Sequence, residues 1–142
     1  MDAKLARLRP MVVEPPRGGW VKAIRESLGM SAEQLGARLG IGKQGALGLE
    51  ASESRRSVTL ASLERAARAL GGQLTYAIVP AKPLEELVDD QAARVAREQL
   101  KGVSHTMSLE AQEPSAALHE LLVNERAKEL KEKLRRELWD ER

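Results

Sequence analysis

The chain is predicted to be mainly α-helical, with several short helices, one short β-strand and then two long C-terminal helices. Aromatic residues are few: Trp20, Tyr76 and Trp139, with no Phe. The core must then be built from Leu, Ala, Val and Ile, a composition that suits helices better than sheets. Apolar residues recur at spacings of three and four through most of the chain. Glycine and Ser/Thr fall where those periodic runs stop and start, as helix caps do.

Residues 1–17 read as an N-terminal arm, because charge is mixed with Pro10, Pro15 and Pro16 and two glycines follow at 18 and 19. A short helix at Ala3–Arg9 fits within it. A helix is predicted over Trp20–Leu28, with Trp20, Ile24 and Leu28 on the inward face at i, i+4 and i+8. Ser31 caps the next helix, and Gln34 stands at the reciprocal capping-box position. Leu35 and Leu39 face inward there, and Ala37 is small enough for close packing. Gly40 closes that helix in the left-handed conformation and drops Ile41 into the core. A third helix follows at about Lys43–Ala51, with Ala46 and Leu49 inward and Glu50 suited to a structural ion pair or a cap. After a polar loop, Thr59 caps a fourth helix through Leu70, whose buried stripe is Leu60, Leu63, Ala67 and Leu70.

The segment Gln73–Val79 alternates Leu74, Tyr76 and Ile78 and is the one expected strand. A lone strand needs a partner, either an N-terminal segment or the same strand of a second subunit. Pro83 then opens a long helix with an apolar face from Leu84 to Met107. Pro114–Ser115 break the chain, and a final helix is expected to run to about Trp139. These two helices either fold as a hairpin or bind another chain.

Composition narrows the function classes. At 142 residues the chain holds one ordinary domain, or a smaller domain with an accessory arm. It has no cysteine, which excludes disulfides and thiolate metal sites. No apolar run reaches membrane-spanning length and no secretory h-region is evident, so a cytoplasmic protein is expected. Residues 1–80 hold 12 Lys/Arg against 7 Asp/Glu, and residues 81–142 hold 11 against 14. The basic half is the half with the short, glycine-punctuated helices, as a phosphate-facing surface requires.

Those helices over residues 18–80 have the spacing of a helix-turn-helix, in which the start of the recognition helix meets base edges of duplex DNA. The exposed positions there include Lys43, Gln44 and Gly45, together with Gly42, Leu47 and Gly48. Lys43 can donate to guanine O6/N7 and Gln44 can pair with adenine N6/N7. Arg55 and Arg56 are suited to backbone phosphates, and Ser31 with the N–H groups behind it forms another phosphate site. Against this stand Gly45 and Gly48, which cost a helix about 1 kcal/mol each relative to Ala. The alternative is a protein-interaction module with a vestigial helix-turn-helix that binds and inhibits a partner. No catalytic, metal or cofactor constellation is present: His105 and His119 have no nucleophile or ligand cluster beside them, and no P-loop occurs, so no enzyme is expected.

The run GMSAEQLGARLGIGKQGALGLEAS resembles the helix-turn-helix of the phage-repressor-like (XRE) family. With GWVKAIRESLGMS, VTLASLERAARALGGQLTYAIVP and QAARVAREQLKGVSHTMSLEAQ, residues Gly18 to Gln112 resemble the family called mobile mystery protein A. That resemblance implies an XRE/lambda-repressor-like domain in a DNA-binding repressor that is the antitoxin of a toxin–antitoxin module. Its implied partners are operator DNA and a Fic-domain protein of the mobile mystery protein B type; a homodimer is expected separately, because it would set two recognition helices one turn of DNA apart. Inhibitors of Fic enzymes carry Ser/Thr-x-x-x-Glu-Gly/Asn. Thr106 to Glu110 fit the first five positions and imply partner binding through Thr106 and Glu110, whereas Ala111 departs from the pattern. Residues 81–142 would then serve dimerisation or partner binding.

Overall fold

The computed structural model describes residues 1–109 and 115–141, with the backbone alone over 103–109. Its helices are α1 (Asp2–Leu8), α2 (Trp20–Ser27), α3 (Ala32–Leu39), α4 (Gly42–Ser54), α5 (Leu60–Ala69), α6 (Leu84–Leu109) and α7 (Ala116–Lys133). Short 3-10 turns occupy Arg9–Met11 and Glu137–Trp139. The chain divides into two compact units, Met11–Ile78 and Met1–Pro10 with Val79–Arg142.

In the first unit, α3 packs against α4 and α5, and α2 packs against the same two helices. The core is small: Val21, Leu35, Ala46 and Ala66 are buried, with Met30, Leu39, Leu49, Leu63, Ala69 and Leu70 around them. The inward face of α2 differs from the expected one. Trp20, Ile24 and Leu28 are 46%, 41% and 57% exposed, and Val21 and Arg25 point inward instead. Apolar periodicity could not find this face, because a charged residue takes one inward position and is compensated by a partner on another helix.

Ser31 starts α3 with a complete capping box: its Oγ accepts from Gln34 N–H at 3.1 Å, and its own N–H donates to Gln34 Oε1 at 2.8 Å. Gly40 ends α3 at φ 69°. Ile41, expected in the core, is exposed and lies over Gly45, where a Cβ would come within 2.7 Å of it. The close approach belongs to Gly36 and not to Ala37. Gly36 is buried, and a Cβ there would sit 2.0 Å from the carbonyl oxygen of Gly42. Thr59 caps α5 by accepting from Ser62 N–H at 3.1 Å.

The expected strand at 73–79 is not formed, and the described residues contain no strand. Tyr76 is exposed and Ile78 is 89% exposed. A strand is stable only when a neighbour takes up its N–H and C=O groups. Among the described residues neither the N-terminal segment nor any other stretch does so, and the backbone over 73–79 is non-repetitive.

In the second unit, the carboxylate of Asp2 accepts from the N–H groups of Leu84 (2.7 Å) and Glu85 (3.4 Å), so the N-terminal helix caps α6. Helices α6 and α7 pack on each other through Val88, Ala92, Val95 and Ala96 against Val123 and Leu130. Helix α7 stops at Lys133, six residues short of the expected end at Trp139. The chain leaves the helix at Leu134 so that Leu138 can fold into the same core, where Gln91 Nε2 donates to its carbonyl at 2.5 Å.

Candidate nucleic-acid interface

The candidate interface is built on α3, the turn at Gly40–Gly42, and α4. The turn is possible because Gly40 and Gly42 hold φ 69° and 68°, where side chains with a Cβ are disfavoured. It sets the first turn of α4 outward, without a side-chain cap on its leading N–H groups. Lys43 and Gln44 are both exposed there, and neither side chain has an intramolecular hydrogen bond or ion pair. Gly45 is half-buried under Ile41.

Arg55 and Arg56 follow at the other end of α4, both exposed, and neither guanidinium has an intramolecular partner. Arg56 is the non-glycine residue with positive φ among those described, at 59°. Its N–H donates to Glu53 O at 2.9 Å, and Ser57 N–H donates back to Ser52 O at 2.9 Å. This is the helix-closing pattern in which glycine normally occupies the left-handed position. Ser31 is exposed at the start of α3. Its oxygen accepts the capping bond, and its O–H remains able to donate.

Two carboxylates of α4 hold this framework. Arg25 and Glu50 are only 8% and 5% exposed, and Arg25 Nη1 also donates to Met30 O at 2.8 Å. The hydrogen bond that Arg25 donates to Glu50 raises the guanidinium above its ordinary range, against the opposing effect of burial. Glu53 accepts from the N–H groups of Trp20 (2.8 Å) and Val21 (2.9 Å) and so caps α2 from α4. Gly19 makes room for it, since a Cβ there would lie 2.6 Å from the Glu53 carboxyl carbon. Sequence reasoning missed this cap, because the two residues lie 33 positions apart.

The order of helices, the glycine turn and the outward-facing start of α4 are those of a helix-turn-helix, and the family model described as Helix-turn-helix (HTH_3) matches residues 21–76. This segment is an XRE-type helix-turn-helix domain. The family is a DNA-binding one and not an enzymatic one, and the match covers less than half of the chain. No curated protein and no solved structure matches the chain.

Of the predicted site residues, Ser31, Lys43, Gln44, Gly45, Arg55 and Arg56 all belong to the helix-turn-helix unit, with Gly45 turned partly inward. Thr106 lies where the backbone alone is described, and Glu110 lies outside the described residues. Among the described residues, no helix is long and apolar enough to cross a membrane, and no group of three or more His, Cys, Asp or Glu could hold a metal ion.

Proposed function

We propose that the helix-turn-helix domain sets α4 into the major groove of an operator, and that the chain is a sequence-specific transcriptional repressor. The observation that carries this reading is the first turn of α4. Lys43 and Gln44 are exposed, unpartnered and chemically able to read base edges, and Arg55 and Arg56 stand free at the far end for phosphates. Ser31 would hold a further phosphate at the start of α3. As a homodimer the protein would present two copies of α4 about 34 Å apart, one turn of DNA. A cytoplasmic location follows from this role.

The test is a titration of the full chain against DNA from upstream of its own gene, over a range of salt. Binding should weaken steeply with salt, and Arg55→Ala and Arg56→Ala should each flatten the slope by about 1. Equal affinity for this DNA and for an unrelated duplex at every salt concentration would overturn the reading.

The resemblance of residues 18–112 to mobile mystery protein A extends the proposal to an antitoxin that neutralises a Fic-domain protein and represses their shared operon. Exposed Leu118, Leu121 and Leu122 on α7 give such a partner an apolar surface. Thr106 and Glu110 would enter its active site. Co-expression with the neighbouring Fic protein tests this: Glu110→Ala should release its toxicity, and unchanged neutralisation would remove the inhibitory role from that residue.

A further inference from the structure

The outward face of α4 carries an apolar residue that the readings above leave without a role. Leu47 lies four positions after Lys43 and three after Gln44, Gly48 lies four after Gln44, and all are exposed, so they share one face. Leu47 is 38% exposed in the middle of that face. The core of the domain already has its leucines, Leu35 fully buried and Leu49 packed at the edge, and it does not recruit Leu47. A Cβ at Gly48 would meet nothing within 4 Å, so beside Leu47 the face is bare helix backbone. Leu47 therefore projects next to a shallow step, a shape that lets the helix come close to whatever it meets.

On the floor of the major groove, the apolar group offered by the base edges is the C5-methyl of thymine. Leu47 cannot donate or accept a hydrogen bond, so that methyl is the feature it is fitted to recognise. Gln44 stands one turn earlier on the same face and can bond bidentately to adenine N6 and N7. We propose that Leu47 is a specificity-determining residue that packs on a thymine methyl adjacent to the adenine read by Gln44. The operator half-site then contains an A·T-rich step under the centre of α4. This inference rests on the major-groove docking proposed above.

The experiment begins with duplexes enriched from a random pool by the full-length protein. Each thymine of an enriched duplex is then replaced singly by deoxyuridine, which removes only the methyl group. Affinity is read by fluorescence anisotropy for the wild type, Leu47→Ala and Leu47→Met. One uracil position should weaken the wild type about fourfold, the worth of one apolar carbon leaving its contact. That penalty should persist in Leu47→Met, which keeps an apolar tip, and disappear in Leu47→Ala. Because Leu47 is exposed, both variants should keep the wild-type thermal midpoint. A uracil penalty of equal size in Leu47→Ala, or none at any position in the wild type, overturns the assignment while leaving the docking intact. Failure to enrich any sequence overturns the docking and the assignment with it.

Discussion

Arg25 on α2 and Glu50 on α4 are joined inside the helix-turn-helix domain by two charge-assisted hydrogen bonds, Nε to Oε1 at 2.5 Å and Nη2 to Oε2 at 3.2 Å. Both groups are buried, so each offsets the desolvation of the other, and neither is tolerable alone. Glu50→Ala should cost about 3–5 kcal/mol, a large part of the stability of a small domain. The double change Arg25→Met with Glu50→Leu should recover much of that loss, because no buried charge is left unpaired. Urea unfolding followed by circular dichroism measures both. A loss under about 1 kcal/mol for Glu50→Ala, the range of exposed ion pairs, would show that the pair does not hold α2 on α4.

Gly36 and Gly48 give opposite expectations for the same substitution. At Gly36 a Cβ would fall 2.0 Å from the carbonyl oxygen of Gly42, and backbone cannot move aside as a flexible side chain can. Gly36→Ala should therefore separate α3 from the turn and destabilise the domain by about 1–3 kcal/mol. At Gly48 the added methyl meets nothing, so Gly48→Ala should stabilise α4 by about 1 kcal/mol. Thermal midpoints of the two variants should move in opposite directions. A lower midpoint for both would place Gly48 against a neighbour.

How much of this was legible in the sequence depended on how local each cause is. The capping box of Ser31 and Gln34, the Thr59 cap and the glycine turn involve residues a few positions apart, and each appears where the pattern places it. The inward face of α2 depends on Arg25 meeting a residue 25 positions away, and apolar spacing therefore selected Trp20, Ile24 and Leu28, which are exposed. The Gln73–Val79 segment has the alternation of a strand, but alternation cannot supply a partner to pair with. At the site, the exposure of Lys43 and Gln44 follows directly from where the turn starts α4. Leu47 is exposed as the spacing places it, whereas Gly45, expected on the same surface, is half-buried because Ile41 folds over it, a tertiary fact that spacing does not carry.

Arg56 occupies a left-handed position that glycine fills at less cost. Residues held in this conformation cost about 1–3 kcal/mol, and they concentrate where the side chain is needed. Arg56→Gly should raise the stability of the domain by about 1 kcal/mol and at the same time weaken DNA binding with a flatter salt dependence. A chemical melt and a salt titration of the same variant check the two halves. Stability gained with DNA affinity unchanged would leave the arginine without a phosphate role.

The α6–α7 pair should respond to acid through Glu85. Its carboxylate faces Arg135 Nη2 at 2.9 Å and Lys131 Nζ at 3.4 Å, and Lys131 also reaches Asp89 at 2.6 Å. The hydrogen bonds from Arg135 and then Lys131 hold the Glu85 carboxyl below its ordinary value. A carboxyl depressed in the folded state contributes stability above its unfolded value of about 4.3, and this contribution is lost as pH falls through the folded value. Lys131 is raised, chiefly by its hydrogen bond to Asp89, so its share is present at neutral pH and is lost only in strong alkali. Wild type should thus melt above Glu85→Gln at pH 7 and low salt, and the gap should close as pH falls below about 4. Because these groups are on the surface, high salt should narrow the same gap at pH 7. A gap that persists unchanged in acid would mean that Glu85 acts through packing and not through its charge.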